Sequence, residues 1–142
     1  MKLTEILADF AGADPEESLE MLLDLADTLP PLSAVRAAAG EPSECRVQEC
    51  QTPVFLWVDV HDGKVRLEAA VPEKSPTVRG FVSLLVDGLS GASPAEVAML
   101  PDDFLPLLGL ETTLGMTRQR GFRGIISRIK REVAQTTANG AG

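Results

Sequence analysis

Val54-Phe55-Leu56-Trp57-Val58-Asp59-Val60-His61-Asp62-Gly63-Lys64-Val65-Arg66-Leu67-Glu68-Ala69 is the stretch whose reading decides the fold. Val54, Leu56 and Val58 alternate with Phe55 and Trp57, a period of two in β-branched and aromatic residues that predicts a strand. Asp62-Gly63 is the signature of a tight hairpin turn, so the run from Val65 to Ala69 is read as a second, antiparallel strand. Residues 44–48, on the far side of the loop that carries Cys50, are read as a third strand. The expectation is a small three-stranded antiparallel sheet.

Outside this stretch the period changes to that of helices. Asp14-Pro15-Glu16-Glu17 supplies an N-cap, a first-turn proline and a capping-box acid, and Leu19, Leu22, Leu23 and Ala26 follow at helical spacing. That helix should run to about Thr28, where Leu29-Pro30-Pro31-Leu32 stops it; a short segment from Ser33 to Gly40 then leads to a turn at Glu41-Pro42. Pro76 opens a second helix with an apolar stripe of Val78, Phe81, Val82, Leu85 and Leu89, ended by Gly88 and Gly91. Ser93-Pro94-Ala95-Glu96 is another capping box for a short helix that Pro101 stops, and Asp102-Asp103-Phe104-Leu105 begins one more turn. The last helix starts near Thr117, with Phe122, Ile125, Ile126, Ile129 and Val133 inward and Arg118, Arg120, Arg123, Arg128, Lys130 and Arg131 on the remaining surface. Helix, then strands, then helices argues an α+β domain rather than a wound parallel sheet.

The 142 residues, 44% of them hydrophobic, suit one domain over 1–142 with a frayed tail at 136–142. No apolar run approaches the roughly 18 residues of a membrane span, and Met1–Phe10 lacks the apolar region of a signal peptide, so a cytoplasmic protein without a membrane partner is expected. Net charge is −8, with ten acids against Lys2 and Arg36 in residues 1–44. That balance is poor for nucleic-acid binding, which needs clustered positive charge.

Two cysteines make a thin disulfide framework, so Cys45 and Cys50 are read as free thiols in a reducing compartment. With a single histidine, His61, beside the hairpin turn, the chain has no metal-ligand spacing and no base for a serine or cysteine hydrolase. Thiol exchange asks for less, only an accessible and partly ionised sulfur. Cys50 lies among Glu49, Gln51, Thr52 and Pro53, residues that suit an ordered loop better than a core. Glu44 and Glu49 disfavour its thiolate, and Arg46 is the only local compensation, so activation must come from elsewhere in the fold or from a partner. An inert core cysteine is the plain alternative. Cys45 is read as a core cysteine of the first strand, with a resolving or protective partner for Cys50 as the other possibility.

The motif Val47-Gln48-Glu49-Cys50-Gln51-Thr52-Pro53-Val54-Phe55 resembles the cysteine loop of the SufE family, sulfur-acceptor proteins of iron–sulfur cluster assembly. Val78-Arg79-Gly80-Phe81, Leu108-Gly109-Leu110 with Leu114, Arg118-x-x-Gly121 and Leu29-Pro30-Pro31-Leu32 resemble further family motifs in the right order over residues 16–134. The resemblance implies a SufE-like fold and persulfide sulfur accepted on Cys50, with Gln51, Thr52 and Arg118 near the partner surface. It implies a type II, SufS-like cysteine desulfurase as donor and a SufBCD-like scaffold as recipient. Pyridoxal phosphate belongs to the desulfurase, and no cofactor or metal to this chain. Glu49 stands where the family has glycine; a left-handed backbone there would cost roughly 1–2 kcal/mol, so a differently shaped loop tip is expected. Gly80 and Gly121 are read as sites of close helix packing against the sheet. The competing reading is a non-catalytic interaction module that docks through the basic C-terminal helix.

Overall fold

The computed structural model describes residues 1–138. The described residues form seven α-helices and one two-stranded sheet: α1 (Lys2–Phe10), α2 (Pro15–Ala26), α3 (Ala34–Ala39), β1 (Phe55–His61), β2 (Lys64–Ala70), α4 (Pro76–Gly88), α5 (Pro94–Ala98), α6 (Leu105–Leu108) and α7 (Met116–Ala138). The expected tail therefore begins inside α7 as far as Ala138, and residues 139–142 lie outside the described residues.

The hairpin forms in the register its turn dictates. His61 pairs with Lys64, Val58 with Leu67 and Phe55 with Ala70. Asp62 and Gly63 both take positive φ, 52° and 72°, the twist that joins antiparallel strands through two residues. Leu56, Val60, Val65, Leu67 and Ala69 are buried on the inner face. On the outer face Arg36 of α3 pairs with Asp59 at 2.8 Å and with Glu68, and its guanidinium lies 5.9 Å from the Trp57 ring centre. The short stretch after Ser33 is thus a helix with no buried residue, held to the sheet by Arg36 and by the Ser33 amide, which donates to Glu68 at 2.6 Å.

The third strand does not form. Residues Ser43–Cys45 are a 3-10 turn, and only Arg46 bridges to β1, opposite Phe55, with the Val47 amide donating to the Val54 carbonyl at 2.9 Å. Val47 to Cys50 then turns back on itself, and Pro53 has no N–H with which to extend a ladder. The sheet has two strands, and Cys45 is a half-buried turn residue, not a core residue of a strand.

The core is built around α4. Ten of its thirteen residues are buried, because α1, α2, β2 and α7 all pack on it. Two glycines admit the neighbouring helices: a Cβ on Gly80 would stand 2.0 Å from the Leu22 carbonyl oxygen of α2, and one on Gly88 would stand 2.8 Å from Leu3 of α1. Gly80 therefore serves a helix crossing, where the sequence suggested contact with the sheet. Phe81 stacks on Phe122 of α7 with ring centres 4.0 Å apart, and meets Phe104 edge-on at 6.0 Å. The expected caps are present: Asp14 accepts from the Glu17 amide at 2.9 Å, and Ser93 and Glu96 close a reciprocal box. Helix α1 was not anticipated; Leu3 and Phe10 bury its inner stripe, and Ile6 and Leu7 pack against the core. No helix among the described residues is long and apolar enough to cross a membrane.

Candidate functional site

Cys50 sits at the end of the turn that starts at Val47, whose carbonyl accepts from the Cys50 amide at 3.4 Å. Two contacts place this turn. Arg128 of α7 donates to the backbone carbonyls of Glu44 and Arg46, the former a very short contact and the latter 2.9 Å, while its Nε pairs with Glu132 at 3.0 Å. One helical turn and more towards the N-terminus, the same helix lacks side chains at Gly121 and Gly124. A Cβ on Gly121 would stand 3.1 Å from Cys50 Sγ, and one on Gly124 would stand 2.4 Å from Glu49 Cβ. The turn rests in this notch, and Cys50 is only 5% exposed.

Gly121 thus packs on the cysteine turn rather than on the sheet. Glu49 keeps an ordinary backbone, since Asp62 is the one non-glycine residue with positive φ among the described residues. The loop follows a course open to any residue, and the room for the Glu49 side chain comes from α7.

In front of the sulfur lies a cleft of about 560 Å³. Cys50, Gln51 and Thr52 form one wall; Val78 of α4, the loop residues Thr113, Leu114 and Gly115, and Thr117, Arg118 and Gly121 of α7 contribute the rest. The four residues singled out from sequence, Cys50, Gln51, Thr52 and Arg118, therefore share one cleft. Burial pushes the Cys50 thiol above its ordinary range; the Thr52 amide, the charges of Arg118 and Arg46 and the Thr52 hydroxyl act against that without overcoming it. After the Thr52 amide next door, Arg118, brought from far along the chain, adds a favourable charge that the local sequence lacks, and the thiol stays raised. The Cys45 thiol is also raised, by burial and by Glu44, although Arg128 opposes.

The rest of the basic surface of α7 is largely committed within the molecule. Arg123 pairs with Asp103 at 3.3 Å, Lys130 reaches the Leu100 carbonyl at 2.7 Å and Asp102 at 3.3 Å, and Arg128 holds the cysteine loop. That leaves less free charge for a docking module than the count of six cations suggested. His61, the last residue of β1, is exposed beside Asp62, and no group of three or more potential metal ligands occurs among the described residues.

Sequence reasoning missed Gly124 and the role of Arg128. The available signal was Gly121-x-x-Gly124: glycine inside a helix costs about 1 kcal/mol relative to alanine, and two on one face point to a close neighbour. The sequence does not say which neighbour.

Comparison with known proteins bears on the family and the fold. The model of the SufE family, described as an Fe-S metabolism associated domain, matches residues 4–133. A SufE-like protein of Mycobacterium tuberculosis (strain H37Rv) is 39% identical over 135 residues, covering 94% of this chain and 92% of that protein. A SufE-like protein of Synechocystis is 32% identical over 117 residues, 82% of this chain and 70% of the relative. A Plasmodium vivax protein named cysteine desulfuration protein SufE is 27% identical over 89% of this chain and 50% of its own length. The solution structure of a hypothetical protein from Thermus thermophilus superposes with a TM-score of 0.80 at 36% identity, covering 96% of both chains.

Proposed function

The chain belongs to the SufE family, and on that premise we propose that Cys50 accepts sulfur from the persulfide of a cysteine desulfurase and passes it towards iron–sulfur cluster assembly. The observation that carries this reading is the cleft in which the Cys50 thiol is gathered with Gln51, Thr52 and Arg118. The name of the Plasmodium vivax relative, a cysteine desulfuration protein, supports a sulfur-transfer role.

The chemistry is a thiol exchange. The Cys50 thiol gives up its proton, and the thiolate attacks the outer sulfur of the donor's persulfide. The bond between the donor's two sulfurs breaks, its electron pair leaves on the donor cysteine sulfur, and that sulfur takes up a proton. Cys50 then carries the persulfide, with no net oxidation or reduction. Arg118 partly offsets the cost of an anion at this sulfur, both as thiolate and as persulfide.

Burial serves the resting state. A thiol whose titration is raised stays protonated at neutral pH and is a poor nucleophile, so the seated Cys50 is protected from stray oxidants. Movement of the loop out of the notch, on contact with the donor, restores hydration and the thiolate. Return of the loop then shields the persulfide until a SufBCD-like scaffold receives it. A SufS-like desulfurase brings the pyridoxal phosphate that cleaves C–S; this chain needs no cofactor of its own. The setting is the cytoplasm, where both thiols remain reduced.

The test mixes the protein with a type II cysteine desulfurase and free cysteine and reads the intact mass beside Cys50→Ser and Cys45→Ser variants. Expected is a gain of one sulfur atom, reversed by a thiol reductant, absent in Cys50→Ser and kept in Cys45→Ser. No gain with several such desulfurases, while Cys50 remains alkylable, would refute the proposal.

A further inference from the structure

Gly121 and Gly124 are set apart from the other glycines among the described residues by what they face. At Gly124 the three nearest atoms to an added Cβ, at 2.4, 3.2 and 3.3 Å, are Cβ, Cγ and Oε2 of Glu49. At Gly121 they are Sγ, Cα and Cβ of Cys50, at 3.1, 3.7 and 3.7 Å. The closest neighbours of both glycines therefore belong to the reactive turn. Neither has a positive φ that would demand glycine, so neither is explained by its own backbone. Alanine is also the better helix former, so α7 taken by itself would gain from replacing them.

We propose that Gly121 and Gly124 are positioning residues for Cys50, forming a seat in α7 whose depth sets how much of the time the thiol is buried, and that Glu49 and Gly124 are matched to each other across that seat. A residue with a Cβ at 124 cannot coexist with the Glu49 side chain in its present place. The seated turn is the part that yields: its Gln48 and Glu49 are exposed and only Val47 and Cys50 reach the core, whereas α7 is anchored through Phe122, Ile125 and Ile126 and the rest of its inner face. Lifting the turn exposes Cys50 to solvent and to any electrophilic sulfur. At 121 the added methyl meets the sulfur itself at a tight but tolerable distance, so the displacement there is smaller. The matching explains how this chain carries Glu49 without distortion: the space for its side chain is opened by Gly124 rather than by a change of loop path.

The bearing of the seat on sulfur acceptance rests on the function proposed above, whereas the seat itself is read without any desulfurase. The experiment measures iodoacetamide alkylation of the folded protein. Tryptic peptides separate Cys45 from Cys50, since cleavage after Arg46 leaves Cys50 in residues 47–64. Gly124→Ala is expected to raise the Cys50 rate roughly tenfold or more, as a lifted turn becomes the main state. Adding Glu49→Gly to it removes the three closest atoms and should return the rate to that of the parent. Gly121→Ala should give a smaller rise that Glu49→Gly does not reverse. An unchanged rate in Gly124→Ala, or a rise that Glu49→Gly leaves in place, overturns the proposal. Should Gly124→Ala fail to fold, the Glu49→Gly/Gly124→Ala double variant decides: folded with the parental rate it supports the matched seat, and unfolded it refutes it. Sulfur uptake from a desulfurase, measured in parallel, separates the two proposals: an alkylation pattern as described, without uptake in the parent, keeps the seat and removes the sulfur-transfer reading.

Discussion

Gly80 and Gly124 both open the surface of a helix to a close neighbour, yet the neighbours differ in whether they can yield. Gly80 faces the Leu22 carbonyl of α2, part of a hydrogen-bonded helix in the middle of the core. Gly124 faces the side chain of Glu49, part of a turn held by a few hydrogen bonds at the edge of a cleft. The same residue type locks a permanent crossing at one place and seats a displaceable loop at the other. Steric relief in the first case requires parting two core helices; in the second it requires only local opening.

The largest effect is expected from Gly80→Ala. A Cβ 2.0 Å from a backbone oxygen has no flexible group to push aside, so stability in a urea melt should fall by about 3 kcal/mol or more. Cys50 alkylation of the remaining folded protein should not change. A Gly80→Ala protein as stable as the parent would break the contrast between the two glycines.

Next comes Arg128→Ala, which removes two charge-assisted bonds to the carbonyls of Glu44 and Arg46. The loss should be about 1–2 kcal/mol in the same melt, with Cys50 alkylated severalfold faster because the stem of its turn is loosened while the notch is intact. If the rate does not move, the glycine seat alone holds the turn.

The smallest effect is in titration. Burial favours the neutral thiol, so in the parent the rise of Cys50 alkylation with pH should centre above the ordinary thiol value of about 8.5. The sign for stability follows: between the unfolded and the folded titration the folded state keeps a proton that the unfolded state has lost, so stability declines as pH rises through that window. In Gly124→Ala the midpoint should fall back towards the ordinary value. Equal midpoints would show that the sulfur has the same surroundings whether or not the notch is filled.

The parts legible in the sequence were those decided within a few residues. Asp62-Gly63 set the hairpin and its register; Asp14 and Ser93 set helix starts; Phe122 to Val133 declared the inner face of α7 by period. A local pattern was not enough for a third strand, because pairing there depends on whether Ser43–Cys45 is extended, and it coils into a 3-10 turn. The cations of α7 looked like a free surface because their partners, Asp102, Asp103 and the carbonyls of Glu44, Arg46 and Leu100, arrive from other segments. Cys50, Gln51, Thr52 and Arg118 were found by motif, and the cleft that unites them exists only once α7 lies along the loop.

By itself, then, the sequence determined most of the helices, the hairpin, the family and the one thiol lying in a family motif, since caps, turns and hydrophobic periods act over a few neighbouring residues. Only the tertiary structure decided that this thiol is buried, that Arg118 stands by it and that Glu49 finds its room at Gly124. Desolvation, charge proximity and van der Waals exclusion depend on distance in space, and those distances are set by how α7 lies across the cysteine turn.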